Sequence, residues 1–437
     1  MNHGNARDGM ATSILKREYS ARDREFAKSA LLDWTMVALA GINEPVTQAM
    51  GKAFSEQPVT ALSFGLQDAS CAINATASHA LDYDDVSGDM RGHPSACVVA
   101  AVLEAAYQTQ ADGTRVLDAI CIGHEAQAIL GERIGVSHYA RGFHTTATFG
   151  TFGAMAASAY LQALTRDEIH SAINICATQA SGLKEVFGSF LKPAQVGLAS
   201  QKGYLATRLV RSGLATPTAL DALEGRQGFL ATQGELTSPE GSRTYPAISN
   251  VLYKYHASCY LTHSMIEALG SCMRKQQIAP HAIRRITVRV NPGHDAVCNI
   301  QAPRTGLETK FSLKFLAAMV AHGISTADVA SFTDELAGQA PLHDFAENKV
   351  TIEFDEAYAR DATVQVDLSD GGQLTETYDV SVAETDPSIQ WDKLYAKALN
   401  LNLDLNGFNA RHIAGAIGAI DRNESAMSHF IKAISNG

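Results

Sequence analysis

The sequence has no run of apolar residues that reaches the ~18 needed to cross a bilayer as a helix. Its seven cysteines, Cys71, Cys97, Cys121, Cys176, Cys259, Cys272 and Cys298, are scattered, odd in number and never spaced as CxxC. That disfavours both a disulfide framework and a structural zinc site, and a reducing, cytoplasmic setting is expected. Met1 to Lys16 is polar without an apolar centre, so no secretory signal is expected there. Charged residues make up only 19% of the chain. This is below the usual figure of about a quarter, as a large interior or a buried subunit interface would produce. Acidic residues outnumber basic ones, 46 to 35, for a formal net charge of -11. Such a chain repels phosphate backbones and has no basic stretch to reverse the sign, so nucleic acid is not expected as a partner. No GxxxxGK(S/T), GxSxG, HExxH or EF-hand spacing occurs. Gly150-Thr151-Phe152-Gly153 follows no strand-like segment, so it is not a dinucleotide fingerprint.

What is present is a long chain, 437 residues, of which 46% are hydrophobic. That suffices for a large core and for two units. Apolar groups recur three or four apart in Phe26–Ala40, Leu66–Ala80, Ser95–Tyr107, Leu117–Leu130, Gly153–Leu164, Glu168–Gln179, Gly197–Leu209 and Leu261–Cys272. This spacing predicts helices, and their Ala and Gly content predicts close packing. The pattern changes near Pro280. Arg285–Val290, Lys349–Phe354, Thr363–Leu368 and Leu374–Val380 alternate like strands, with a hairpin signal at Asp370-Gly371-Gly372. Ser312–His322 and Ser325–Phe332 read as helices between them, and from Trp391 the chain returns to helix at Asn406–Ile420 and Glu424–Ile434. The expected fold is mainly α: a helical domain over residues 1–274, an α+β domain over 275–390, and helices over 391–437 rejoining the first domain.

Four polar clusters stand out. His79-Ala80-Leu81-Asp82-Tyr83-Asp84-Asp85 ends a helix-like segment and leads into a loop with Asp89, Arg91 and His93. Three carboxylates so close must bond to backbone donors, bind a cation or face water. Arg141-Gly142-Phe143-His144-Thr145 precedes a helix whose free N–H groups suit an anion. Lys192 lies between Leu191 and Pro193, where desolvation would make it a base, or else it serves as a cation for an acidic substrate. Tyr253-Lys254-Tyr255-His256 with Cys259 and His263 completes the set. Each is equally compatible with a capped, solvated loop.

Taken in order, these clusters resemble the MmgE/PrpD family over nearly the whole chain. The marks are LLDWTMVALAG near the start, HALDYDDV and GHPSA at 79–96, RGFHTTATFGTFGA at 141–154, LKPAQVG at 191–197, KYHASCYLTH at 254–263 and GLETKFSLKF at 306–315. The resemblance implies a large helical domain, a smaller α+β lid domain, a homodimer, and no cofactor or metal. It implies active-site positions at Asp82, His93, His144, Lys192 and Lys254. This chain departs from the family with Val86 where a hydroxyl residue is frequent, Gln195 where a histidine is frequent, and Phe315 where a tyrosine is frequent.

The chemistry such a family shares is proton removal beside a carboxylate. It needs a base of near-neutral pKa and cations or donors to hold the enediolate. Bases are retained here while hydroxyl acids are lost, which favours epimerisation over dehydration or decarboxylation. The expectation is an iminodisuccinate epimerase, with a hydro-lyase or decarboxylase acting on a tricarboxylic acid as the alternative. Lys192 and one of His93 and His144 would be the bases, with Asp82 orienting a histidine. Arg91, Lys254, His263, Arg304 and Gln195 would bind the polycarboxylate.

Overall fold

The computed structural model describes residues 5–15, 19–237, 243–401, 403–423 and 425–435, apart from the side chain of residue 405. Parts of the expected N-terminal polar segment, and the first residue of the helix expected from 424, lie outside these. The chain divides into two compact units. The larger holds Met1–Val186, Phe190–Tyr253 and Glu384–Gly437, and the smaller holds Phe187–Ser189 and Lys254–Ala383.

The larger unit is helical. It runs through α1 (Ala6–Leu15), α2 (Ala21–Ala40), α3 (Pro45–Ser55) and α4 (Asp68–Ala80), then the short β1 (Val86–Ser87). Next come α5 (Pro94–Thr109), α6 (Gly113–Ala140), α7 (Thr145–Leu161), α8 (Arg166–Gln179), α9 (Leu191–Arg211), α10 (Phe229–Gln233) and β2 (Val251–Leu252). Local chemistry sets the ends. Ser20 with Asp23, and Thr165 with Glu168, form capping boxes on α2 and α8, satisfying N–H groups that a helix start leaves open. α7 is buried almost all round, against α5, α6 and α9. Its small residues allow this, and removing that apolar surface from water drives the packing. α4 and α9 approach so closely that a Cβ on Gly197 would stand 2.4 Å from the Ala72 carbonyl oxygen.

The smaller unit opens on α11 (His263–Gln276) and β3 (Ile283–Val290), followed by α12 (Asp295–Cys298), α13 (Gly306–Thr309), α14 (Leu313–Ala321), α15 (Asp334–Ala337) and α16 (Ala340–Lys349). It ends with β4 (Val350–Phe354), β5 (Ala362–Leu368) and β6 (Gln373–Tyr378). The sheet order is β4-β3-β5-β6, with β3 and β4 parallel and the other pairs antiparallel. Period-two alternation buries Ala362, Val364 and Val366 on one face of β5. The hairpin at Asp370-Gly371-Gly372 forms as expected, with Gly371 at φ 91°. The chain then returns to the larger unit through α17 (Pro387–Leu399), α18 (Ala410–Gly418) and α19 (Ala426–Ser435).

Two elements differ from the sequence reading. Ser325–Phe332 is not an α-helix; only Val329–Ser331 makes a single 3₁₀ turn. The Ser325 hydroxyl accepts from Asp328 N–H, and Asp328 accepts from Ala330 N–H, so short side chains take the donors a helix would use. The smaller unit also begins at Lys254 rather than near 275, because α11 packs on β5 and β6.

Candidate active site

Within the larger unit, three helix N-termini meet. His93 is the N-cap of α5, His144 is the N-cap of α7, and Lys192 lies in the first turn of α9. The Cys97 thiol, in the first turn of α5, donates to the carbonyls of Thr146 and Val196, each at 3.4 Å, tying the three helices together. Gly92 permits the close approach: a Cβ there would lie 2.8 Å from both the Thr145 and Thr146 hydroxyls. The Thr146 hydroxyl accepts from the His93 N–H, and the Thr145 hydroxyl donates to the Arg91 carbonyl. Helix N-termini carry partial positive charge, so their convergence favours an anion.

The loop after α4 supplies carboxylates to the same place. Asp82 adopts a left-handed backbone at φ 51°, which costs a non-glycine residue roughly 1 kcal/mol. Beyond it, β1 pairs with β2, Val86 opposite Leu252, and Asp89 accepts from the Tyr245 hydroxyl and the Asn250 amide. The loop is thereby fixed at both ends.

Lys192, 4% exposed, sets its Nζ 2.5 Å from Asp82 Oδ1. Asp84 lies between two histidines, with His79 Nδ1 at 2.8 Å from Oδ2 and His93 Nδ1 at 3.3 Å from Oδ1. His93 Nε2 stands 3.8 Å from Asp82 Oδ1. Residue order suggests Asp82 as the group that orients a histidine, but the carboxylate nearer to His93 is Asp84, and Asp82 pairs with Lys192. The His79 ring lies edge-on to His93 at 4.5 Å between centroids and stacked with His144 at 5.8 Å.

Burial decides the protonation states. It lowers His79 to about 4, against the opposing pull of Asp84. Burial raises the Asp84 carboxyl, but His79 and His93 outweigh it and hold that carboxyl well below the ordinary carboxylate range. Burial, with Lys192 and the neighbouring histidines, holds His144 well below its ordinary value. A neutral His79 therefore donates from Nδ1 to Asp84. Its Nε2 is buried with no hydrogen-bond partner among the described residues.

Gln195 fixes the other tautomer. Its Oε1 accepts from Leu183 N–H at 3.0 Å and its Nε2 donates to the Leu183 carbonyl at 3.1 Å, which determines the amide's orientation. The same Nε2 donates to His144 Nδ1 at 2.6 Å, so a neutral His144 carries its proton on Nε2. Beneath this layer, the Ser95 hydroxyl donates to Asp85 at 2.5 Å and lies 3.1 Å from His124 Nε2. Burial and the nearby Asp33 push the Asp85 carboxyl well above its ordinary range.

His79, Asp82, Asp84 and His93 each offer a donor atom within 4.8 Å of the others, a set with metal-ligand character. Lys192 already supplies a cation there through Asp82, so a divalent ion would compete with a built-in ammonium. Arg91 is exposed, with its backbone at φ 56°. In the smaller unit, Lys254 is 1% exposed, and His263 opens α11 with Nε2 3.3 Å from the Ser258 carbonyl. Arg304 is exposed, its N–H donating to Glu308.

Residues 12–240 match the MmgE/PrpD N-terminal domain and residues 256–407 match the MmgE/PrpD C-terminal domain. The chain belongs to the MmgE/PrpD family. Its helical body with a small sheet in the C-terminal part agrees with the two-domain MmgE/PrpD fold. Among curated MmgE/PrpD relatives, the cis-aconitate decarboxylase-like protein oryM of Aspergillus oryzae is 29% identical, over 68% of this chain and 69% of its own. The cis-aconitate decarboxylase of Aspergillus terreus is 25% identical, over 87% of this chain and 84% of its own. Among the described residues, no helix is long and apolar enough to cross a membrane.

Proposed function

We propose that this chain is a cofactor-independent enzyme that moves a proton at a carbon next to a carboxylate, and that its reaction is epimerisation of iminodisuccinate, N-(1,2-dicarboxyethyl)aspartate. The observation that carries the reading is the buried pairing of Asp84 with His93 beside the Lys192–Asp82 ion pair. His93, backed by Asp84, takes the α-proton. The C–H electron pair moves into the adjacent carboxylate as an enediolate. The Nε2–H of His144, the Lys192 ammonium and the starts of α5, α7 and α9 hold that charge. Lys192 returns a proton at the same carbon from the other face. In the reverse direction the two exchange roles, as a two-base epimerase requires. In solution the enzyme acts as a homodimer, as the family resemblance implies.

Two residues favour epimerisation over elimination. Val86 lies in β1, and Phe315 is buried in the apolar core of the smaller unit. Neither offers a hydroxyl to protonate a leaving group or a decarboxylated carbanion. A second reading, a lyase acting on a tricarboxylic acid, draws on the decarboxylation in the relatives' names. Product analysis separates them. The epimerase converts one iminodisuccinate stereoisomer to a mixture, with loss of optical rotation. Release of carbon dioxide from cis-aconitate, or ultraviolet absorbance of a new conjugated alkene from a hydroxy tricarboxylate, would instead favour the lyase.

A further inference from the structure

Lys397, on α17, sits behind the site loop and is 6% exposed. Its Nζ lies 2.6 Å from Asp33 Oδ1 on α2 and 2.7 Å from the Tyr83 carbonyl oxygen. It also stands 4.1 Å from the centroid of the Tyr83 ring. The Tyr83 carbonyl belongs to the peptide between Tyr83 and Asp84. The grip therefore falls between the carboxylate that pairs with Lys192 and the one that pairs with His79 and His93.

We propose that Lys397 is a positioning residue for the active site: its ammonium holds the Tyr83 carbonyl, and through it the left-handed turn that aims Asp82 and Asp84. Strained backbone persists only where its surroundings over-determine it. Here α4 anchors the turn on one side, through the Asp82 N–H to the His79 carbonyl, and the β1–β2 pair anchors it on the other. Lys397 grips it in the middle. A buried ion pair is a weak source of net stability, since an apolar pair of similar volume serves as well. What Lys397 offers beyond that is a charged donor at a fixed place, aimed at one carbonyl. Asp33, 2.6 Å from the same Nζ, keeps that donor in place. The sequence hides this arrangement, because Lys397 and Tyr83 are more than three hundred residues apart.

The proposal rests on reading His93 and Lys192 as the proton-transfer groups, with Asp84 and Asp82 as their partners, and the test separates the two. Lys397→Met is compared with the double variant Asp33→Leu/Lys397→Met, which removes the buried charge pair as a unit and keeps the site usable should the single variant fold poorly. Thermal unfolding, steady-state kinetics on iminodisuccinate and amide hydrogen exchange over residues 82–86 are measured on each. The expected result is that the double variant recovers the melting temperature but keeps a kcat about 100-fold low, with KM little changed. Its amides at 82–86 should exchange about tenfold or more faster than wild type, with no such change in α5 or α7. Recovery of kcat and of amide protection together with the melting temperature would make Lys397 merely structural and overturn the proposal. If wild-type protein leaves iminodisuccinate unchanged, the functional reading falls. Hydrogen exchange still decides about Lys397, and unchanged protection at 82–86 would count against it.

Discussion

Lys192 Nζ and Asp82 Oδ1 stand 2.5 Å apart, both side chains buried, joining the start of α9 to the loop after α4 across 110 residues of sequence. Removing one member leaves a buried charge without its counter-ion. Lys192→Ala is therefore expected to destabilise the protein by about 3 kcal/mol and abolish turnover. Adding Asp82→Asn should recover most of that stability and none of the activity. Urea denaturation and an activity assay on the wild type and the two variants check this. Wild-type turnover in Lys192→Ala would remove Lys192 from the mechanism.

Gln195 orients His144 rather than standing free to meet substrate. Gln195→Leu leaves the His144 tautomer undetermined and weakens its Nε2–H as a donor to the enediolate. The expected effect is a fall in kcat of about 10- to 100-fold with KM nearly unchanged. A rise in KM with unchanged kcat would point to direct substrate contact.

Gly92 lets His93 reach its place. In Gly92→Ala the new Cβ meets the Thr146 N–H at 2.9 Å as well as two hydroxyls, and a backbone atom cannot swing aside. The loop must shift, at a cost of about 1–3 kcal/mol. Since His93 is the next residue, kcat should fall about 100-fold. Thermal unfolding and kinetics measure both; a variant with normal values in each would show that the packing at Gly92 is loose.

Acid should destabilise the fold through its neutral histidines. Burial holds His79 at about 4 and His124 at about 3, against 6.5 for a free side chain. Between those values the unfolded chain binds more protons than the folded one. Stability therefore falls as pH drops below about 6.5, by up to about 1.4 kcal/mol per pH unit for each histidine. The lowered Asp84 adds to this only below its ordinary value of 3.8. Asp85, whose carboxyl is raised, acts in the opposite sense as pH rises above 3.8. The contribution of His124 is isolated by His124→Gln, which cannot titrate. Relative to the wild type, the variant should gain stability as urea titrations move from pH 7 to about pH 5. A difference that does not depend on pH would mean that His124 is not held neutral.

Much of this molecule was readable from residue order. Apolar groups recurring three or four apart located the bodies of α2, α4, α5 and α9, although only α9 keeps a one-sided buried face and the other three are buried all round over most of their length. It failed at Ser325–Phe332, where side-chain oxygens compete for backbone donors, and it gave no warning of the Val86–Leu252 pairing, which joins residues far apart in sequence. Asp82, His93, His144 and Lys192 were visible as chemistry-bearing clusters, and the structure brings them together. Asp84 and His79 stood in the same motif, yet their roles depend on ring positions and burial that residue order does not carry.

Proton exchange at the carbon next to a carboxylate is followed by proton NMR of iminodisuccinate incubated with the enzyme in D2O. Deuterium should appear at the carbon that bears both nitrogen and carboxylate, growing in step with the second stereoisomer, with no alkene and no carbon dioxide. Unexchanged substrate, alongside carbon dioxide from cis-aconitate under the same conditions, would contradict it.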